Sequence, residues 1–223
     1  MNTSLPMRLL PILTILASAG LATAATIRVP GDLPTIQAAI DSSRSGDHIV
    51  VAAGTYREAI RLSGQALVLD AEDGPSRTVI DAVALDQPVI TCVGSANDSL
   101  VIRGFRITGG SGDTSRYGVG VTVGGGMVLR GASPLIENCR FMGNVVTYEG
   151  GGVWAAGHAT PRFLRCIFSS NRAERGGAVF LHDSEATFVD CRFISDHALF
   201  AGGGIVADAG SRLQASDCRF EKC

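Results

Sequence analysis

Cys166-Ile167-Phe168-Ser169-Ser170-Asn171, followed by Gly176-Gly177-Ala178-Val179, is the stretch that decides the fold. The Cys-x-Phe triplet recurs as Cys139-Arg140-Phe141, Cys191-Arg192-Phe193 and Cys218-Arg219-Phe220, at steps of 27, 25 and 27 residues. Glycine runs keep the same step. Gly124-Gly125-Gly126, Gly150-Gly151-Gly152, Gly176-Gly177 and Gly202-Gly203-Gly204 end 26, 25 and 27 residues apart. Two motifs locked to one period indicate stacked repeats.

A helical repeat would need ten or more residues with a 3.6-residue apolar period. The runs here are short: Met127-Val128-Leu129, Val153-Trp154-Ala155, Ala178-Val179-Phe180 and Ile205-Val206-Ala207, each bounded by Gly, Asn, Asp or Ser. Such runs are strands joined by bends. Cys and Phe, two apart, share one strand face, and the residue between them faces water. Stacking places Cys over Cys and Phe over Phe about 4.8 Å apart. The expected architecture is all-β, a right-handed parallel β-helix of seven or eight coils. Phe141-x-x-Asn144, Phe168-x-x-Asn171 and Phe193-x-x-Asp196 add a bend that recurs in every coil, because Asn and Asp tolerate left-handed backbone.

Phe-x-x-Asn alternating with Gly-Gly-Ala-Val resembles the repeats of chlamydial polymorphic outer membrane proteins, within the wider pectin-lyase-like β-helix family, over roughly residues 100–223. Leu33-Pro-Thr-Ile-Gln-Ala-Ala-Ile40 followed by Gly54-Thr-Tyr-Arg-Glu58 resembles the start of pectinesterases, as a shared cap and first coil. In pectinesterases a Cys-x-Phe strand leads to a catalytic Asp. The matching stretch here, Cys139-Arg-Phe-Met-Gly-Asn144-Val-Val-Thr-Tyr148, has no carboxylate, which speaks against esterase chemistry through this motif.

Residues 1–24 read as a secretory signal: Arg8, an apolar stretch from Leu9 to Leu21, and the small-x-small site Ala22-Thr23-Ala24. The expected location is secreted, periplasmic or at the cell surface, with no membrane span in the mature chain. Residues 25–108 would form the N-terminal cap and first coils, and 109–223 the Gly and Cys-x-Phe repeats. Within the first part, Asp32 is the expected N-cap of a capping helix over 34–43. Strands are expected at Ala25–Pro30, His48–Val51, Ala59–Leu62, Leu67–Asp70, Thr78–Asp81, Pro88–Cys92 and Leu100–Ile107. Phe105 aligns with the later Cys position.

The chain carries 19 basic and 21 acidic residues, and a single lysine, Lys222. That balance argues against a nucleic-acid partner or a polybasic membrane anchor. Six cysteines in a secreted chain raise disulfides. Cys139, Cys166, Cys191 and Cys218, one coil apart, either bridge between neighbouring rungs or serve as small buried apolar residues. Their ladder does not suit a metal.

Polysaccharide-active β-helix proteins need carboxylates that converge on the outer surface, joined by calcium and a basic residue in lyases. Three leads exist. Asp190 and Asp217 stack beside Arg165 in the column before each Cys. His182, Asp183 and Glu185 cluster at a turn, with His158 one coil earlier. Finally, counting from each last glycine, position +2 should face outward and reads Val128, Trp154, Val179, Val206. This apolar column, with the only Trp, either stacks on sugar rings or is covered by the Gly-rich segment 109–126. The expected function is a carbohydrate- or partner-binding scaffold. The alternatives are a lyase- or hydrolase-like enzyme, with calcium if a lyase, and a structural or adhesive section of a larger surface protein. Because the chain stops three residues after Phe220, self-association through an uncapped end is also expected.

Overall fold

The computed structural model describes residues 23–94, 99–116, 118, 120–208 and 210–223. Apart from its last two residues, the expected signal segment 1–24 lies outside them.

Three parallel sheets run the length of a right-handed β-helix, and each turn of chain contributes one short strand to each sheet. Sheet 1 has eight strands, from Thr26–Val29 to Arg212–Ser216. Sheet 2 has seven, from Gly54–Tyr56 to Arg219–Glu221. Sheet 3 has six, from Ile60–Ser63 to Ile205–Asp208. All three continue through residues 108 and 109, so the N-terminal coils and the repeats form one solenoid.

Most expected strands lie within two residues of their predicted bounds. The stretch 100–107 is two strands, Val101–Arg103 and Arg106–Thr108, because Gly104 turns the chain with φ +81°. The capping helix is Ile36–Ser42, and its N-cap is Thr35, whose Oγ accepts from Ala38 N. Asp32 instead accepts from Arg28 N. Glu58 completes the helix start by accepting from Ile36 N and Gln37 N. The helix buries Ile36, Ala39 and Ile40 against the first coils.

Like residues stack inside. Phe141, Phe168, Phe193 and Phe220 form one column with centroids 4.9, 4.8 and 4.5 Å apart and nearly parallel rings. Phe163 and Phe188 form a second, 4.7 Å apart, meeting the first edge-to-face. The register aligns Phe105 with Cys139, since Arg106 pairs Arg140 and Ile107 pairs Phe141. All six cysteines are free thiols, so no bridge joins Cys139, Cys166, Cys191 and Cys218. The four thiols instead point at carbonyl oxygens of the preceding coil, those of Ile102, Ile136, Phe163 and Phe188, 3.4–3.7 Å away. Burial pushes the Cys92 and Cys139 thiols up to about 12, which leaves them protonated and chemically quiet.

The Phe-x-x-Asn positions form a buried polar column between sheets 2 and 3. Asn144 and Asn171 are completely buried and Asp196 nearly so. Asn171 Oδ1 accepts from Asn144 N and Nδ2, and Asp196 Oδ1 accepts from Asn171 N and Nδ2. The amide groups also donate to carbonyls one coil back, Asn144 to Ile107 O and Asn171 to Phe141 O. The column holds the bend by tying its backbone to the coils on either side.

Candidate functional site

The outward faces of the sheets carry what chemistry the molecule has. Sheet 3 presents two outward columns, fixed by strand register. One reads Arg61, Thr91, Val128, Trp154, Phe180, Val206. The other reads Ser63, Val93, Arg130, Ala156, His182, Asp208. The sequence count placed Val179 in the first column, and the register corrects this. Ala178 occupies the rung held by Gly152, so counting from the last glycine slips by one residue, and Val179 belongs to the core while Phe180 faces out.

The apolar column is covered. Val128, Trp154 and Phe180 are fully buried in a satellite cluster with Val123, Ala156 and Tyr148. Segment 109–126 supplies the lid. Arg116 lies 5.0 Å from the Trp154 ring centroid and Arg130, on the sheet itself, 5.3 Å. Trp154 Nε1 donates to Glu149, a buried carboxylate, at 3.3 Å. The lid rests so close that a Cβ on Gly124 would fall 2.4 Å from Val128 Cγ2. Trp154 is therefore unavailable to stack on a sugar ring. We expect fluorescence of this only Trp to be poorly quenched by acrylamide in the folded protein. Quenching as efficient as in urea would mean that the lid is open.

Covering the aromatics leaves polar groups on either side. On one side lies a groove of about 470 Å³, lined by Arg61, Asp86, Gln87, Pro88, Thr91, Val93, residues 112–115 and Arg130. Its floor is the outward face of the strands Ile60–Ser63, Ile90–Val93 and Met127–Arg130. Its wall is the start of the lid. Arg130 bonds both Asp113 and Ser115, which fixes the wall to the floor. Burial pushes the Asp113 carboxyl up. The Ser115 backbone N–H, the Arg130 guanidinium and the Ser115 hydroxyl outweigh it and hold the group below the usual carboxylate range.

On the other side, Arg175 links Glu149 at 3.1 Å to Asp208 at 3.6 Å, and Asp208 meets His182 Nδ1 at 3.1 Å. Arg175 also stacks over Phe180, 4.9 Å from its centroid.

The other sequence leads separate in space. Asn138, Arg165, Asp190 and Asp217 all have φ between +49° and +56°. Their column is a left-handed bend between sheets 1 and 2, a conformation that Asn and Asp tolerate. Arg165 pairs with Glu137, not with the stacked aspartates. His182 and Asp183 part company. His182 faces out from sheet 3, while Asp183, at φ +48°, turns toward His158, 3.4 Å away, beside a shallow hollow with Glu185 and Arg212. Among the described residues, no group of three or more His, Cys, Asp or Glu is arranged to hold a metal ion. No helix among them is long and apolar enough to cross a membrane.

Comparison with known proteins agrees with the coil geometry. The family described as "Right handed beta helix region" matches residues 90–223, more than half of the chain. The chain belongs to this family. No curated protein matches it in sequence. Among solved structures, a pectin methylesterase from carrot is similar with a TM-score of 0.56 and 16% identity, covering 89% of this chain and 65% of that one. A mutant pectin methylesterase in complex with a hexasaccharide is similar with a TM-score of 0.59 and 13% identity, covering 90% and 66%. This right-handed β-helix chain thus spans a little under two thirds of those chains, and at such identities the likeness is one of fold.

The sequence reading missed Arg61, Asp86, Asp113, Arg130, Glu149, Arg175 and Asp208. A correct phase at Ala178 would have put Arg130, His182 and Asp208 in one column. Asp113 comes from outside the repeat, where no period could place it.

Proposed function

We propose that the protein is a secreted or cell-surface scaffold that binds a polysaccharide along the outer face of sheet 3, in the groove beside Arg130. The groove's lining carries the proposal. Arg61 and Arg130 supply fixed donor forks, Asp86 and Asp113 acceptors, and Gln87, Thr91 and Ser115 groups that both donate and accept. That mixture suits a ligand made of hydroxyls. The similar pectin methylesterase carrying a bound hexasaccharide supports the choice of ligand class. An Asp113 held ionised accepts hydrogen bonds and has no proton to give, which favours binding over acid catalysis at this carboxylate.

Arg130→Ala removes the groove's central donor and frees its wall. On a panel of oligogalacturonates, xylo-oligosaccharides and cello-oligosaccharides, at least one wild-type ligand is expected, and the variant should bind it at least tenfold more weakly. A variant that binds every ligand as well as the wild type would remove the groove from consideration.

Cleavage of the bound polysaccharide is a second reading, favoured by one observation. Asp208 engages His182 Nδ1, which leaves Nε2 to take a proton, and Arg175 adds a cation nearby. Release of unsaturated products from polygalacturonate, lost in His182→Ala, would establish it. Repeating that assay with a chelator would show whether calcium takes part. Association through the face that exposes Leu213 and Phe220 is also part of the proposal, and a monomer in solution at all concentrations would exclude it.

A further inference from the structure

The polar column between sheets 2 and 3 ends in a carboxylate. In Asn144 and Asn171 the amide oxygen accepts from the coil on one side, and Nδ2 donates to a carbonyl of the preceding coil, Ile107 O or Phe141 O. Asp196 is the next rung. Its Oδ1 accepts from Asn171 N at 2.9 Å and Asn171 Nδ2 at 2.8 Å, as an amide oxygen would. Its Oδ2 therefore takes the place of Nδ2. Ile107, Phe141 and Phe168 stand in register, so the carbonyl matching this position is Phe168 O. An ionised Oδ2 would set lone pairs against lone pairs there. A protonated one restores the donor that the two preceding rungs use. Asp196 is 1% exposed, and Oδ2 is buried with no hydrogen-bond partner among the described residues.

We infer that Asp196 is an acid-operated latch. Protonated, it completes the polar column by donating from Oδ2 to Phe168 O; ionised, it buries an unpaired charge and loosens the coils that it joins. The groups around it leave the charge uncompensated. The preceding coil offers Asn171 and Phe168, its own strand Phe193, and Gly203 packs beside the backbone carbonyl of Asp196. The neighbouring His197 is exposed and donates its backbone N–H to Asn171 O. None of the groups that set its titration is charged. Burial dominates and carries the carboxyl up to about 6, although the Asn171 and Ile194 hydrogen bonds oppose it.

The sign follows from that. Below about pH 4 the carboxyl is neutral in both folded and unfolded chains and costs nothing. Between about 4 and 6 the unfolded chain releases its proton first, so stability falls as pH rises, and above about 6 the full cost is present.

Urea unfolding of the full chain from pH 4.5 to 8 tests the latch, with Asp196→Asn as the variant that supplies the donor at every pH. Asp196→Asn should be the more stable at pH 8. Its advantage in the unfolding equilibrium should shrink by a factor on the order of 30 as pH falls to 4.5. An advantage constant within threefold over that range would overturn the inference. The wild-type Asp196 carboxyl carbon, followed by NMR, gives a readout that does not depend on the variant. Titration near pH 6 is expected, and titration below 4.5 would equally overturn it.

Discussion

Asn171→Ala is expected to remove about 4 kcal/mol of stability, a large share of what a domain of this size possesses. Asn171 sits in the middle of the buried polar column and joins three successive coils. Its Oδ1 serves Asn144 N and Nδ2, and its Nδ2 serves Phe141 O and Asp196 Oδ1. Alanine removes all four bonds and leaves their partners in a fully buried site. Each stranded group costs about 1–3 kcal/mol, so even partial relaxation leaves a large sum. Equilibrium urea unfolding at fixed pH measures the loss. A loss below about 1 kcal/mol would mean that the bend is held by its backbone alone.

Phe168→Ala should cost a similar amount, about 3–5 kcal/mol. The ring is fully buried, stacked between Phe141 and Phe193, with Phe163 and Phe188 at its edges. Because the column is continuous, the cavity cannot close without breaking the register of two sheets. Phe220 is the internal control. It has the same stacking partner type but is 50% exposed and touches a ring on one side only, so its replacement by alanine should cost about 1 kcal/mol or less. Equal losses at the two positions would show that stacking itself, rather than burial, supplies the energy.

The coil was legible because its period is enforced by stacking. Every Cys, Phe, Asn and left-handed Gly rung must match the rung one coil away, and each match prints itself in the sequence. The register of Phe105 with Cys139 could be read by aligning residues 104–109 with 138–143. The outer surface answers to no such rule. Ala178 in a glycine rung was enough to swap Val179 for Phe180, and so to exchange inside for outside in one coil. The Asp190 and Asp217 column could be read as a charge ladder or as chemistry, and the bend offers a third reason for its residues, because Asp is also what a left-handed backbone favours. Trp154 could be placed on an outward strand position, with segment 109–126 as its possible cover, but only tertiary packing decides that the lid buries it. The groove joins Asp113, from that aperiodic segment, to Arg130, from the repeat, a pairing invisible to any periodic alignment.

The corners of the coil differ in how much chain they accept. Between sheets 1 and 2 most coils spend two residues, such as Asn138 and Cys139 or Arg165 and Cys166, one a left-handed bend and the other a buried thiol, while one coil spends residues 72–77. In the Cys-x-Phe coils an insertion there would unseat a core rung. Between sheets 2 and 3 the connections run from residues 57–59 in one coil to 109–126 in another. The solenoid thus behaves as a rack whose widest slot lies in this row. An excursion as long as 109–126 hangs on that row without altering the frame, and it becomes a wall for the neighbouring face of sheet 3. Relatives built on the same frame would be expected to differ in ligand by exchanging what hangs there, while their coils stay interchangeable.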